Sequence, residues 1–166
     1  MAAQPGGAGD DRFTGEQASL RRVATLVARA AAPEEVFAAV TEEAGRLLGA
    51  DFTTMARYHP DGTRTVVASW SGTGTGYPVG NRVMLGGQNV QTLVFQTGRT
   101  ARIDDYASGS GPLAEAAREF GFRSAVGVPV SVEGGLWGVM YMGSTREGPL
   151  PAGTEARLAG FTELAA

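Results

Sequence analysis

Residues 123–144, RSAVGVPVSVEGGLWGVMYMGS, decide the fold. Val126, Val128, Val130 and Val132 alternate with small or polar residues, the period of two that marks a half-buried strand. Glu133-Gly134-Gly135 follows and supplies the positive-φ positions that a short hairpin needs. A second strand then alternates Trp137, Val139 and Tyr141 with Gly138, Met140 and Met142. The hairpin stands just after a loop-rich stretch and just before a helical one.

Downstream, a closing helix starts near Gly153-Thr154 and turns Leu158, Phe161, Leu164 and Ala165 inward. It runs out at Ala166 without Gly, Pro or a polar cap, so the natural chain is expected to continue as a helical linker to an output domain. Upstream, residues 112–120 form a short helix with Leu113, Ala116, Ala117 and Phe120 on one face, stopped by Gly121. Residues 101–104 and 82–85 read as short strands. Between them Asn89 caps a helix carrying Val90, Leu93 and Val94, with Gly98 at its end. Strands 51–58 and 64–70 flank the turn His59-Pro60-Asp61-Gly62, and 71–80 is a Gly/Thr loop. Two helices open the domain. The first, from Glu16, lines up Leu20, Val23, Ala24, Val27, Ala30 and Ala31; the second begins at Pro33 and lines up Val36, Phe37, Val40, Ala44, Leu47 and Leu48 before Gly49. Residues 1–15 are small, polar and rich in Pro and Gly, and are expected to be a disordered tail ahead of a single domain over 16–166.

Composition removes whole classes of chemistry. There is no Cys, hence no disulfide, thiol nucleophile, Cys-ligated zinc or iron–sulfur cluster. A single His, His59, excludes His-cluster metal sites. All 14 basic residues are Arg, and the net charge is −3 without a basic stripe, so nucleic acid is not an expected partner. No apolar run long enough for a membrane span occurs, and the N-terminus lacks a secretory pattern; a cytoplasmic location and no membrane partner are expected. Gly72-Thr73-Gly74-Thr75-Gly76 resembles a phosphate cradle but leads into Tyr77-Pro78 instead of a helix, and no Lys is present. Ser131 and Ser144 lack an elbow motif, so no enzyme activity is expected.

The order helix, helix, three strands, helix, strand, helix, hairpin, helix resembles the GAF domains of bacterial signalling proteins. The resemblance rests on residues 20–51, on GRTARIDDYAS and on the hairpin quoted above. It implies an α+β fold: a PAS-related central antiparallel sheet of five to six strands, N- and C-terminal helices on one face, short helices and loops over the other. Together with the Arg, Ala and Gly bias, it implies a piece of a longer actinobacterial protein such as a sensor histidine kinase of a two-component system. Family activities can be compared residue by residue. The Asn-Lys signature of cyclic-nucleotide binders cannot be met without Lys. Bilin attachment and methionine-sulfoxide reduction use Cys, and haem binding needs a pocket His where this chain has one in a turn. No cofactor, covalent bilin or haem is therefore expected.

The resemblance places a small-molecule cavity on the open face of the sheet. Its expected lining is Trp70, Val90, Val94, Ile103, Tyr106 and Tyr141, with Arg102, Asp104 and Asp105 as orienting polar groups. The plain alternatives are core packing for the apolar members and turn chemistry for Asp104-Asp105. Two functions are expected from different classes. One is a sensory domain that binds an unidentified small molecule and signals through its terminal helices, as a homodimer, to an attached output domain. The other is a ligand-free dimerisation or protein-interaction module.

Overall fold

Ala32 is extended (ψ 144°), and Pro33 then opens a helix at a position where its missing N–H has no bond to lose. Such local signals set most boundaries in the computed structural model, which describes residues 8–29, 31–72, 74 and 77–165, with backbone alone at 8–14 and 164–165. In chain order the elements are α1 (Ala8–Ala28), α2 (Pro33–Leu48), β1 (Phe52–Tyr58), β2 (Thr63–Ser71), β3 (Arg82–Met84), α3 (Val90–Thr97), β4 (Ala101–Ile103), a 3-10 turn (Tyr106–Ser108), α4 (Pro112–Glu119), β5 (Ser124–Val132), β6 (Gly135–Ser144) and α5 (Thr154–Ala165). The left-handed pair of the hairpin is Glu133 (φ 51°) with Gly134 (φ 79°), and Gly135 already belongs to β6.

The six strands form one antiparallel sheet in the order β3-β2-β1-β6-β5-β4. The α+β architecture expected from the sequence is the one observed. On one face lie α1, α2 and α5, which bury Val23, Val40, Leu158 and Phe161 against Met55, Val126, Val128, Val130, Met140 and Met142. The other face carries α3, the 3-10 turn and α4. Val126, Val128 and Val130 of β5 thus look toward the terminal helices, whereas Val132, beyond the register shift at Val130/Ser131, is exposed. Small residues on the opposite side, Ala125 and Gly127, let α3 sit close: a Cβ at Gly127 would lie 3.3 Å from both Val90 and Val94.

Two bulges reverse what an unbroken alternation implies. In β2, Ala68 pairs with Met55 while Val66 pairs with Ala56, so Val67 is an extra residue. Beyond it Ala68 and Trp70 turn to the helix face. In β6, Leu136 pairs with Ser131 and Gly138 with Val130, leaving Trp137 as the extra residue. Trp137 joins the helix-side core and packs on Phe37, ring centroids 5.2 Å apart, instead of sharing a face with Val139 and Tyr141.

The first helix starts at Ala8, not at Glu16, so residues 8–15 of the expected tail are helical; residues 1–7 lie outside the described residues. No described helix is long and apolar enough to cross a membrane.

Candidate functional site

The centre of the α3–α4 face is built by alternation on three strands. β1 contributes Phe52, Thr54, Ala56 and Tyr58, β2 contributes Arg64 and Val66, and β6 contributes Val139 and Tyr141. Over them lie Val90 and Val94 from α3, Tyr106 from the 3-10 turn, Leu113 and Ala114 from α4, and Tyr77 and Phe122 from the connecting loops. Asn89 aims α3 at the sheet: its Oδ1 accepts the Thr92 N–H at 2.9 Å, and its Nδ2 donates to the Gly86 carbonyl at 2.8 Å. The aromatic members interlock, with Phe52 stacked on Phe122 at 3.9 Å and edge-on to Tyr141 at 5.8 Å.

A charge sits inside this apolar layer. Arg64 has 0% of its surface exposed. Its Nε donates to Gln91 Oε1 at 2.6 Å, and its Nη1 donates to Asn81 Oδ1 at 2.7 Å and to the Asn81 carbonyl at 3.0 Å. The Tyr77 ring covers the guanidinium, 4.7 Å from Cζ to centroid. Its Nη2 has no hydrogen-bond partner, and no carboxylate pairs with it among the described residues. Tyr141 Oη and Thr54 Oγ1, on residues paired across β6 and β1, are also buried and make no hydrogen bond of good geometry, although Thr54 lies near enough to pull the Tyr141 hydroxyl's value down slightly. The other tyrosine hydroxyls are engaged. Tyr58 donates to the Gln91 carbonyl at 2.6 Å, Tyr77 to the Leu113 carbonyl at 3.4 Å, and Tyr106 Oη accepts the Val90 N–H at 3.5 Å. Burial pushes the Tyr77 hydroxyl up to about 12, with Arg64 pulling the other way. Tyr141 is pushed above the ordinary tyrosine value by burial, again opposed by Arg64.

Of the residues expected to line a cavity, Val90, Val94, Ile103, Tyr106 and Tyr141 come together on this face, all but Ile103 buried within its core. The other four do not join them. Trp70 lies on the opposite side, over Gly45 of α2, because the Val67 bulge turns it there. Arg102 reaches the start of α5, bonding Glu155 and the carbonyls of Leu150 (2.6 Å) and Pro151 (2.9 Å). Asp104 is exposed and 3.4 Å from Arg102. Asp105 caps the 3-10 turn by accepting the Ala107 N–H at 2.9 Å, the turn chemistry weighed against a binding role. The residue of this candidate site that the sequence reading did not include is Arg64. A signal existed: it shares the inward parity of Val66 on β2, yet an Arg on a strand reads by default as solvated.

His59 sits in its turn with Nε2 2.7 Å from Thr65 Oγ1. The Gly/Thr run at 72–76 lies largely outside the described residues. A hollow of about 490 Å³ opens on the other face, between the end of α2 and the loop into α5, lined by Leu48, Arg146, Pro149, Pro151 and Arg157; none of the expected site residues borders it.

Comparison with protein families matches residues 32–166 to the GAF domain. Comparison with curated proteins finds no match. Solved structures of the same shape include the phycocyanobilin-bound GAF domain of a cyanobacterial phytochrome (TM-score 0.73, 17% identity, 90% of this chain and 91% of that one). A phycoerythrobilin-bound GAF domain of a cyanobacterial phytochrome aligns equally well (TM-score 0.74, 18% identity, 90% and 91%). So does the chromophore-binding domain of the bacteriophytochrome RpBphP3 from R. palustris (TM-score 0.73, 14% identity, 94% and 60%). These neighbours correct the expectation of no cofactor: solved domains of this fold hold bilins, so the fold gives no ground for excluding one. The expectation treated a missing thiol as a missing pigment. Lack of Cys removes one covalent bond to this chain, whereas burial and hydrogen bonding depend on other residues.

Proposed function

The chain belongs to the GAF domain family, and from that premise we propose that it is a sensory domain. It takes a small molecule on the α3–α4 face of the sheet and passes its occupancy to an attached output domain, such as a histidine kinase in a bacterial signalling protein. The observation that carries this reading is Arg64, a fully buried guanidinium with Nη2 unsatisfied, on the same face of the sheet as Thr54 and Tyr141, whose buried hydroxyls also lack a hydrogen bond. A buried cation lacking its counter-charge is costly, and each unmade hydrogen bond adds to the cost. A ligand that completes these bonds binds the folded state and stabilises it.

A linear tetrapyrrole fits the residues present: Val90, Val94, Ile103 and Tyr106 offer an apolar wall for its rings, and the unsatisfied donors suit its polar groups. When bound, it would supply visible-light absorption. The route to the output runs through the sheet, since Tyr141 faces the ligand side while its neighbours Met140 and Met142 contact the layer of α2 and α5. A homodimer through α1 and α5 would carry the signal, as a two-state element biased by the ligand. Any catalytic step belongs to the attached domain.

The interlocked aromatics of the same face favour a second reading, an interaction module whose hollow is filled by its own side chains. A thermal-shift screen with nucleotides, amino acids, aromatic acids and bilins separates the two. A ligand at about ten times its Kd stabilises by about 1.4 kcal/mol. Such a shift, with altered amide exchange in α1 or α5, supports the sensory reading. Concentration-dependent dimerisation in sedimentation, without a shift from any compound, supports the interaction module.

A further inference from the structure

Resting on the sensory reading, we infer that the α3–α4 face recognises an organic carboxylate, seated on Nη2 of Arg64 with an apolar or aromatic body against the tyrosine-rich wall. Three features select this chemistry. First, the site holds one cation and no acidic partner among the described residues, so it asks for one negative charge. A phosphate dianion would bring a second charge that nothing described on this face neutralises. Second, the guanidinium is already oriented. Gln91 holds Nε, Asn81 holds Nη1 and the Tyr77 ring covers a face, which leaves the in-plane N–H groups of Nη2 as the open donors. A charge-assisted bond there is shorter and stronger than a neutral one. Third, among the described residues the other buried side-chain groups on this face without a hydrogen bond are Tyr141 Oη and Thr54 Oγ1, neutral hydroxyls able to donate to a carboxylate oxygen. Tyr58, Tyr77 and Tyr106 are engaged and present ring surface.

Two sources share this chemistry: a small aromatic or aliphatic acid, and the propionate arms of a tetrapyrrole. The test uses the whole chain with benzoate, phenylacetate and indole-3-acetate beside their carboxamides, and biliverdin beside its dimethyl ester. Binding is read by calorimetry and, for biliverdin, by absorbance. The expected result is that at least one acid binds ten-fold or more tightly than its neutral partner. Arg64→Met should abolish that preference, and Arg64→Lys, which keeps the charge, should retain part of it. Preference for a small acid over its amide identifies the first source; preference for biliverdin over its ester identifies the second. A brace that merely held Gln91 and Asn81 would change melting temperature in both variants and leave the acid-to-amide ratio alone. Equal binding of acids and neutral partners, or a preference surviving in Arg64→Met, overturns the carboxylate while leaving the sensory site standing. Absence of binding by every probe overturns the carboxylate too, and removes the site's support with it.

Discussion

At the scale of single residues, hydroxyl satisfaction separates side chains that hold the fold from side chains that await something. Tyr58 donates to the Gln91 carbonyl at 2.6 Å, whereas Tyr141 in the same layer finds no partner. Tyr58→Phe should therefore cost about 0.5–1.5 kcal/mol in urea unfolding. Tyr141→Phe removes an unmet desolvation cost and should leave the free domain unchanged or up to about 1–2 kcal/mol more stable. Equal losses would mean that Tyr141 already has its bond. A second residue-scale contrast is Gly45. In a helix interior Ala normally beats Gly by about 1 kcal/mol. Here a Cβ would fall 2.1 Å from the Trp70 ring, so Gly45→Ala should instead destabilise, by about 1–3 kcal/mol from overpacking. In Trp70→Leu the same substitution should cost less, and that coupling is readable in a double-mutant cycle.

At the scale of elements, the caps and turns were legible because each is a local choice. Pro33, Gly49, Asn89 and Gly98 occupy the positions their chemistry dictates. The facing of the two tryptophans was not legible. One extra residue in a strand flips every side chain beyond it, and neither Val67 nor Trp137 differs in type from an ordinary strand residue. Arg102 shows the same limit. Its place on β4 follows from sequence, but its partner Glu155 lies 53 residues away on α5. That clamp has a pH signature. The Arg102 bond holds the Glu155 carboxyl below its usual value of 4.5, and Arg22, first through its hydrogen bond, does the same for Glu43. Both folded values lie below the unfolded ones. Their contribution is therefore present above pH 4.5 and is lost as pH falls through the depressed values. Glu155→Gln should cost about 1 kcal/mol at pH 6, and the gap to the unmodified chain should shrink at pH 3 in matched urea titrations. A gap that stays constant would show that the pair contributes nothing through its charge.

At the scale of the whole molecule, stability is unevenly shared between the layers. The sheet is buried on both faces, with Met140 and Met142 fully covered on one and Tyr141 on the other. The helix α1 is held more thinly: Val23 and Ser19 are buried, Glu43 bridges Ser19 and Arg22, and Val27 is 47% exposed. With Val23 the one fully buried apolar side chain among its described residues, and Leu20 and Leu26 only partly buried, α1 should open at lower free energy than the sheet. Native-state amide exchange in rising urea should show α1 losing protection in its own step, before β1, β5 and β6. Loss of all protection in one global step would mean that α1 is tied into the core as firmly as the strands. The same experiment reaches the question of assembly. If two copies pair through α1 and α5, mass action stabilises the paired state as protein concentration rises. Protection in α1 should then climb with concentration while that of the central strands stays fixed. An α1 opening step that ignores concentration would remove these helices as the dimer contact and, with it, the proposed path from ligand to output.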